Sequence, residues 1–476
     1  MPGAVLALDQ GTSATKALLV GPDGKVLADA EAAVHPRVLP DGGVEQDPAE
    51  LWDSLVDAGK QALAGYRGQL DAVALANQGE TVLDWDRRTG EPHGPALSWQ
   101  DRRAAGVCDR LREHEPMLRE RTGLTLDPYF AAPKIAWLRE RRGIAGVATT
   151  TDSWLLHRLA GGYVTDVATA SRTLLLDLDS RQWSAEACAV FGIDPESLPA
   201  VVPSTRVVGE TAVFGPAVPV VGCTVDQQAA LFAEGCHARG DAKCTYGTGA
   251  FLLATVGAEP VRPRSGLVGS VAWDLGAEAA YCLDGQVYTA GAAVRWLARI
   301  GVIDHPSDLD LLALQSADSG GVRFVPALAG LAAPFWRPDA RAAFTGMTLA
   351  TDRAHLARAV LEGIAASVAW LGRAVADDLG SPLRRLRVDG GMTRSRLLLQ
   401  TQADLLQIPV EVYPSPNASA LGVTALARLG LDPRRALSSV VPRWRPSAVY
   451  EPAIAPDRAE ELLAGWRAAA EAAIIL

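Results

Sequence analysis

Residues 4–16, AVLALDQGTSATK, begin with an apolar run typical of a buried strand and become polar at Asp9. A second apolar run, residues 17–20, follows and ends in the turn-forming residues 21–24. This order predicts two strands joined by a tight polar turn. Gly11 lets the backbone approach an anion closely, and free N–H groups in such a turn form an anion-binding concavity. The turn is a candidate phosphate site, with an ordinary strand–turn–strand as the alternative.

Four side chains of this turn suit a phosphate group and its cation. Thr12 and Ser13 add hydrogen-bond donors, and Lys16 adds a positive charge. Asp9 is suited to a hydrated Mg²⁺ ion, since that ion prefers oxygen ligands and keeps several waters. The chain has no Gly-x-x-x-x-Gly-Lys-Ser/Thr pattern, so the turn is not a Walker A loop.

Length and composition indicate a globular protein of two or more domains. The chain has 476 residues, of which 49% are hydrophobic and 21% are charged. Its net charge of −10 at pH 7 argues against non-specific binding to nucleic acid. That total charge does not exclude a local pocket for an anion.

The cysteines favour a reducing, cytoplasmic environment. None of the six forms a Cys-x-x-Cys pair, so we expect neither a zinc site nor a redox motif. The first residues show no basic region before an apolar segment, which predicts no signal peptide. No apolar run approaches the ~20 residues that cross a bilayer, so we expect no membrane insertion.

Polar clusters follow several predicted strands. Residues 77–81 follow the apolar run 70–76, and residues 99–103 end another such run. Asp226 comes shortly after the run 218–222, where a helix is predicted to begin. In open α/β sheets, ligand groups gather beyond the carboxyl ends of strands. The clusters therefore predict one shared ligand site.

The pattern then restarts in the second half of the chain. A glycine–hydroxyl turn at residues 243–250 is loosely similar to the first one, which suggests two similar domains that face a cleft. Residues 104–159 are mostly helical in pattern. Helical spacing also predicts helices that begin at Pro48, cover 291–300, 353–379 and 397–406, and continue from Arg458.

These clusters occur in an order that resembles the FGGY carbohydrate kinases and, among them, the glycerol kinases. The resemblance extends from about residue 5 to residue 430. It implies an α/β chain of two actin-like (ribonuclease H-like) domains, residues 1–236 and 237–476, with ATP and substrate in the cleft between them. The matching segments are ALDQGT (7–12), WQDRR (99–103), DQQAALF (226–232), CTYGTG (244–249), GLAAPFW (330–336) and RVDGG (387–391).

The resemblance also implies a role for individual residues. Asp226 resembles the general base that takes the proton of the attacking hydroxyl, and Asp9 would position Mg²⁺. The substrate contacts would be Glu80, Trp99, Tyr129, Asp226, Gln227 and Phe251. The nucleotide contacts would be Thr12, Ser13, Lys16, Thr248, Gly249, Gly291 and Gly391. Taken singly, Trp99 and Tyr129 are more typical of core aromatics and Asp226 of a helix cap; the ordered set favours the functional interpretation.

Three positions depart from the glycerol kinase pattern. Gly79 stands where these enzymes typically carry an arginine, which would offer a rigid fork of donors to a polyol hydroxyl. Arg295 and Ser395 stand where glutamine and asparagine are common, so the nucleotide preference is open. The void at Gly79 leaves room for a longer polyol or a ketose.

The expected function is ATP-dependent phosphorylation of a terminal hydroxyl of glycerol or a related small polyol. A pentulose or tetritol kinase, acting on xylulose, ribulose or erythritol, is the alternative. A non-catalytic, actin-like ligand sensor is a third possibility, although Asp9 and Asp226 are both present. The expected partners are ATP and a small polyol or sugar, and a homodimer and a homotetramer both remain open.

Overall fold

The computed structural model describes residues 3–475, with the side chains of residues 3–474. Its first half is built on a six-stranded sheet, in which three consecutive antiparallel strands are followed by two parallel strands and an antiparallel edge strand. In spatial order the strands are Val26–Ala33, Ala14–Val20, Ala4–Gln10, Leu70–Asn77, Val218–Val225 and Val207–Thr211.

The second half repeats this arrangement in a seven-stranded sheet. Here too a run of antiparallel strands meets two parallel strands and an antiparallel edge strand, with one additional strand at the opposite edge. The order is Val268–Asp274, Ala279–Val287, Ala250–Gly257, Ala242–Tyr246, Leu386–Asp389, Val410–Val412 and Val449–Tyr450. The prediction of two similar α/β halves is confirmed.

Helices cover the faces of both sheets. The α-helices are Pro48–Ala62, Ala105–Arg110, Glu115–Thr122, Ala131–Arg142, Thr151–Ala160, Val167–Ala170, Ala185–Val190, Asp226–Ala233, Gly291–Arg299, Leu309–Ala313, Arg353–Leu379, Arg396–Leu406, Ala418–Leu431, Leu437–Val440 and Pro456–Ile475. Short 3₁₀ helices are Arg112–His114, Pro195–Ser197, Pro306–Asp308 and Gly391–Arg394.

Four smaller sheets accompany the two main sheets within the described residues. A five-stranded sheet orders Arg37–Val38, Val44–Gln46, Ala96–Leu97, Val82–Trp85 and Val147–Thr150. Three strand pairs are Val164–Asp166 with Ala200–Val202, Leu176–Asp177 with Gln182–Trp183, and Arg323–Val325 with Ala343–Thr345. The segment 104–159, predicted as mostly helical, therefore also supplies a strand, because residues 147–150 complete the edge of the five-stranded sheet.

The longest helix, Arg353–Leu379, begins and ends at residues suited to those positions. The Asp352 carboxylate accepts hydrogen bonds from the backbone N–H groups of Ala354 and His355, and Gly380 ends the helix with φ 68°. By length and composition alone, this helix is long and apolar enough to cross a membrane. However, 78% of its most apolar window is buried inside the protein, as in the core helix of a soluble protein.

One helix of the second half packs on the sheet of the first half. The helix Ala418–Leu431 contributes to an apolar cluster that includes Val5 and Leu18 of the first sheet. It also touches the helix Asp226–Ala233 closely, since a Cβ on Gly422 would lie 1.9 Å from the carbonyl oxygen of Ala229. This contact joins the helix that carries Asp226 to a helix of the second half.

Candidate active site

The sheets bring three aspartates to one cleft between the halves. Asp9 lies near the end of the strand Ala4–Gln10, Asp389 ends the strand Leu386–Asp389, and Asp226 opens a helix directly after the strand Val218–Val225. All three line a central cavity of about 300 Å³. The strand-end clusters therefore meet, as expected for an α/β sheet.

Most of the predicted site residues line this central cavity. Gly249 and Gly291 are the exceptions among the predicted residues: Gly291 lines a second, outer cavity, and Gly249 lies outside both cavities. The predicted residues that line the central cavity are Asp9, Thr12, Ser13, Lys16, Glu80, Trp99, Tyr129, Asp226, Gln227, Thr248, Phe251 and Gly391.

The three aspartates, of which Asp389 is buried and Asp9 and Asp226 are half-buried, repel one another. Burial, with the charges of Asp226 and Asp389, raises the pKa of Asp9 to about 7, although Lys16 opposes this shift. Burial also raises the pKa of Asp226 and of Asp389, and the charge of Lys243 counteracts it in both cases. A cluster of this kind is stabilised by added positive charge.

The donor set fits a hydrated magnesium ion. Carboxylate oxygens are the ligands that Mg²⁺ prefers, and the ion usually binds through one or two of them while it retains waters. Among residues 3–475 no group of three or more His, Cys, Asp and Glu side chains is arranged to hold a metal directly. Asp9 therefore suits a site completed by water and by substrate phosphates.

Lys243 lies beneath the aspartates and was not identified from the sequence. Its buried Nζ donates hydrogen bonds to Oε1 of Gln227 at 2.6 Å and to Oγ1 of Thr245 at 2.7 Å. Thr245 in turn donates to the carboxylate of Asp389. A lysine inside the apolar strand Ala242–Tyr246 was the available signal, since such a residue is rarely buried without a partner.

Aromatic side chains from both halves form one wall of the cavity. The Trp99 ring meets Tyr129 edge-to-face, with centroids 5.9 Å apart, and meets Phe251 of the second half at 5.6 Å. Trp99 also donates from Nε1 to Oγ1 of Thr12 at 2.8 Å. The aromatic wall is therefore tied to the polar turn of the first hairpin.

Of the matching segment 99–103, Trp99 alone lines the central cavity. Asp101 accepts a hydrogen bond from the backbone N–H of Val44 at 2.9 Å and pairs with Arg103 at 2.6 Å. Arg103 also contacts Glu45 at 3.0 Å. These buried ion pairs fix the loop that presents Trp99.

Glu80 has an unusual backbone conformation, with φ 60° in the left-handed region. Non-glycine residues adopt this region at an energetic cost, and such outliers cluster at functional sites. The Glu80 carboxylate accepts a hydrogen bond of 2.6 Å from Nε of Arg172, and both side chains are buried. Arg172 also lines the cavity and was missed from the sequence, where the run around it, ASRTLLLDL, looks like ordinary core.

Gly79 leaves open space beside Glu80. A Cβ at this position would lie 3.3 Å from Cγ1 of Val225, so a side chain would fit only with a small adjustment of that valine. Gly79 itself lines the central cavity. The departure noted in the sequence therefore enlarges the cavity at its Glu80 end.

The outer cavity, of about 630 Å³, adjoins the central one at Gly247, Thr248 and Gly391, which line both. Gly291 borders it, and a Cβ there would lie 2.6 Å from the carbonyl oxygen of Gly247, so the close backbone approach needs glycine. Gly249 is similarly restricted, because its Cβ would lie 2.6 Å from the carbonyl oxygen of Val287.

Both atypical residues, Arg295 and Ser395, line the outer cavity. Nη2 of Arg295 lies 3.4 Å from Oγ1 of Thr248, to which it donates. The hydroxyl of Ser395 donates to the carboxylate of Asp310 and caps the helix Arg396–Leu406. Ser395 therefore uses its hydroxyl within the protein.

Comparison with known proteins gives consistent results over nearly the whole chain. A glycerol kinase of Thermus brockianus is 45% identical over 486 residues, which cover 98% of this chain and 98% of that protein. The crystal structure of Plasmodium falciparum glycerol kinase with ADP has a TM-score of 0.89 at 31% identity and covers 100% of this chain and 99% of its own. A xylulose kinase structure from Rhodospirillum rubrum has a TM-score of 0.83 at 26% identity and covers 98% of each chain.

Two family models match successive parts of the chain. The model of the N-terminal domain of the FGGY family of carbohydrate kinases matches residues 4–233, and the model of the C-terminal domain matches residues 242–431. Together with the paired sheets and the shared cleft, these matches show that the chain belongs to the FGGY family of carbohydrate kinases.

Proposed function

We propose that this enzyme transfers the terminal phosphoryl group of ATP to a terminal hydroxyl of glycerol or a closely related small polyol. The observation that carries the proposal is the position of Asp226. It lines the same cavity as the aromatic wall on one side and the polar turn with Lys16 on the other. The similar glycerol kinases support the choice of substrate.

Asp226 acts as the general base in this proposal. It takes the proton of the polyol hydroxyl as that oxygen attacks the phosphorus, a role that requires the ionised carboxylate. Burial raises the pKa of Asp226, and Lys243 counteracts the shift. The backbone N–H of Gln227 donates to Oδ1 of Asp226 at 2.7 Å, which orients the carboxylate.

The polyol lies between the aromatic wall and two polar side chains. Trp99, Tyr129 and Phe251 pack against its carbon chain, while Glu80 accepts hydrogen bonds from its hydroxyls and the amide of Gln227 can accept or donate them. Binding of this type converts a bimolecular encounter into an oriented, near-unimolecular reaction.

ATP spans the two cavities. Thr12, Ser13 and Lys16 meet its phosphates from the first half, and Thr248 meets them from the second, on a turn whose close backbone packing Gly249 allows. Gly291 and Gly391 border the nucleoside, which occupies the outer cavity. When bound, Mg²⁺ near Asp9 would supply charge neutralisation for the phosphates, a main requirement of phosphoryl transfer.

The proposal extends to the domains, the location and the assembly of the enzyme. We assign residues 1–236 and 237–476 to two domains that close on the substrates, with the helix Ala418–Leu431 bridging them. All six cysteines are free and buried, which supports a cytoplasmic location. A homodimer and a homotetramer remain the expected assemblies.

A pentulose or tetritol kinase is the second candidate, favoured by the open space at Gly79. The discriminating experiment measures kcat/KM by coupled ADP detection with glycerol, erythritol, xylulose and ribulose. The proposal predicts that glycerol is turned over best. A clear preference for erythritol or for a ketose would assign the enzyme to the second candidate, and no turnover with any acceptor would reject both.

A further inference from the structure

Arg172 bridges two carboxylates at the Glu80 end of the central cavity. Its Nε donates to Oε1 of Glu80 at 2.6 Å, and its Nη1 lies 2.8 Å from Oδ2 of Asp284. Glu80 and Arg172 belong to the first half of the chain, whereas Asp284 lies in the strand Ala279–Val287 of the second. The three side chains are 2–4% exposed, and all line the cavity.

One donor of this buried guanidinium is left without a hydrogen bond. Although Nη1 is close to Asp284, the alignment makes no hydrogen bond, and within the described residues Nη1 has no other acceptor. A buried donor without an acceptor costs free energy that a ligand oxygen can recover. Nη1 is itself covered, so a ligand oxygen reaches it when the Arg172 fork or the Asp284 carboxylate turns slightly toward the cavity that both residues line.

Asp284 offers the complementary acceptor. Its Oδ1 accepts a hydrogen bond of 2.9 Å from Nε2 of Gln286, and this contact fixes the carboxylate. A hydroxyl group can accept a hydrogen bond from a guanidinium and donate one to a carboxylate at the same time. The pair Arg172 and Asp284 therefore matches a hydroxyl, and the neighbouring Tyr129 ring, 5.7 Å from Cζ of Arg172, places it beside the aromatic wall.

Because Gly79 has no side chain, Arg172 and Asp284 are left to supply polar groups at this end of the cavity. Gly79 precedes Glu80 and opens the same cavity, so no guanidinium enters it from that position. Arg172 enters from a different segment, the turn that follows the helix Val167–Ala170. It thus supplies a fork of donors where position 79 supplies none.

We propose that Arg172, together with Asp284, recognises a polyol hydroxyl other than the one that is phosphorylated. This inference rests on the proposed function and identifies the residues that select the substrate. Arg172 is then a substrate-contacting specificity residue, and Asp284 its partner across the cleft. A purely structural ion triad that joins the two halves is the alternative.

The test compares Arg172→Lys with the unaltered enzyme on glycerol, propane-1,2-diol and propane-1,3-diol at saturating ATP and Mg²⁺. Each diol lacks one hydroxyl of glycerol, so one of them lacks the recognised group. We expect kcat/KM for glycerol to fall about 10- to 100-fold, mainly through KM, because lysine loses the planar fork. For the diol without the recognised hydroxyl we expect a change of less than about threefold, and an unchanged KM for ATP.

Asp284→Asn is the second variant, since it keeps the size of the side chain and decides the question if Arg172→Lys fails to fold. It should show the same selective loss on glycerol. Equal losses on glycerol and on both diols, or no loss in either variant, would overturn the inference in favour of the structural triad. Turnover by the unaltered enzyme tests the proposed function separately, because absence of any polyol kinase activity would reject that function before the variants are compared.

Discussion

The indole Nε1 of Trp99 donates a hydrogen bond of 2.8 Å to Oγ1 of Thr12, so the wall of the polyol pocket is joined to the phosphate turn. Trp99→Phe keeps an aromatic wall but removes this bond. We expect KM to rise about tenfold for both the polyol and ATP, because one lost hydrogen bond disturbs both subsites. Steady-state kinetics, with the polyol and ATP varied in turn, would measure the two KM values.

Thr12→Ser is the matched control for this prediction, since it retains the accepting hydroxyl. It should leave both KM values within about twofold. A change confined to the polyol KM in Trp99→Phe would show that the two subsites are not linked through this bond.

Lys243 should control the pH at which the enzyme loses activity. Because burial raises the pKa of Asp226 and Lys243 opposes that shift, Lys243→Met removes the opposing charge and raises the pKa further. The base must be ionised, so the acid limb of the kcat profile should move to higher pH. Lys243→Arg is the control, because it preserves the positive charge and should leave the acid limb in place. An acid limb that does not move in Lys243→Met would contradict the prediction.

Asp9 should make the ligand-free protein less stable as the pH rises. Its folded pKa of about 7 lies above the ordinary 3.8, so the folded state binds the proton more tightly than the unfolded state does. The contribution of Asp9 to stability is therefore present below about pH 4 and is lost progressively up to about pH 7. The Tm of Asp9→Asn should therefore rise relative to the Tm of the unaltered protein as the pH increases from about 5 to about 7.5.

Magnesium and ADP provide the control for that measurement, since bound cation favours the ionised carboxylate. Their addition should raise Tm more in the unaltered protein than in Asp9→Asn at the higher pH. An equal Tm difference at both pH values would show that Asp9 does not titrate in this range.

Gly79→Arg should narrow the substrate range. The new side chain would begin 3.3 Å from Cγ1 of Val225 and extend into the space beside Glu80. We expect kcat/KM for erythritol and xylulose to fall at least about tenfold, while glycerol is retained or improved by the added donors. Gly79→Ala is the control for backbone effects, and an equal loss on all acceptors would contradict the assignment of this space to the substrate.

The local pattern of the chain was sufficient to predict the main elements. The first hairpin, the strand-end clusters and the helix Arg353–Leu379 each depend on residues that are close in sequence, such as the Asp352 cap and the apolar spacing behind it. The paired sheets were also predicted, because the segment 243–250 has glycine and hydroxyl residues similar to those of the first polar turn.

The long-range partners of the site could not be predicted. Arg172 lies 92 residues from Glu80, and Lys243 lies 16 residues from Gln227, so neither contact leaves a periodic signal. Their neighbouring residues are those of ordinary core, and only the folded chain shows which buried charges they meet. The strand Val147–Thr150 was missed for the same reason, since its partner Val82–Trp85 is distant in sequence.

The most direct measurement of the central claim is the turnover of Asp226→Asn with glycerol and ATP. The substitution keeps the size of the side chain and removes the base, so kcat should fall by about 10²- to 10⁴-fold. The dissociation constant for ADP, measured by calorimetry, should remain within about threefold of the unaltered value, because Asp226 is not assigned to the nucleotide. A kcat close to that of the unaltered enzyme, with nucleotide binding intact, would contradict the account.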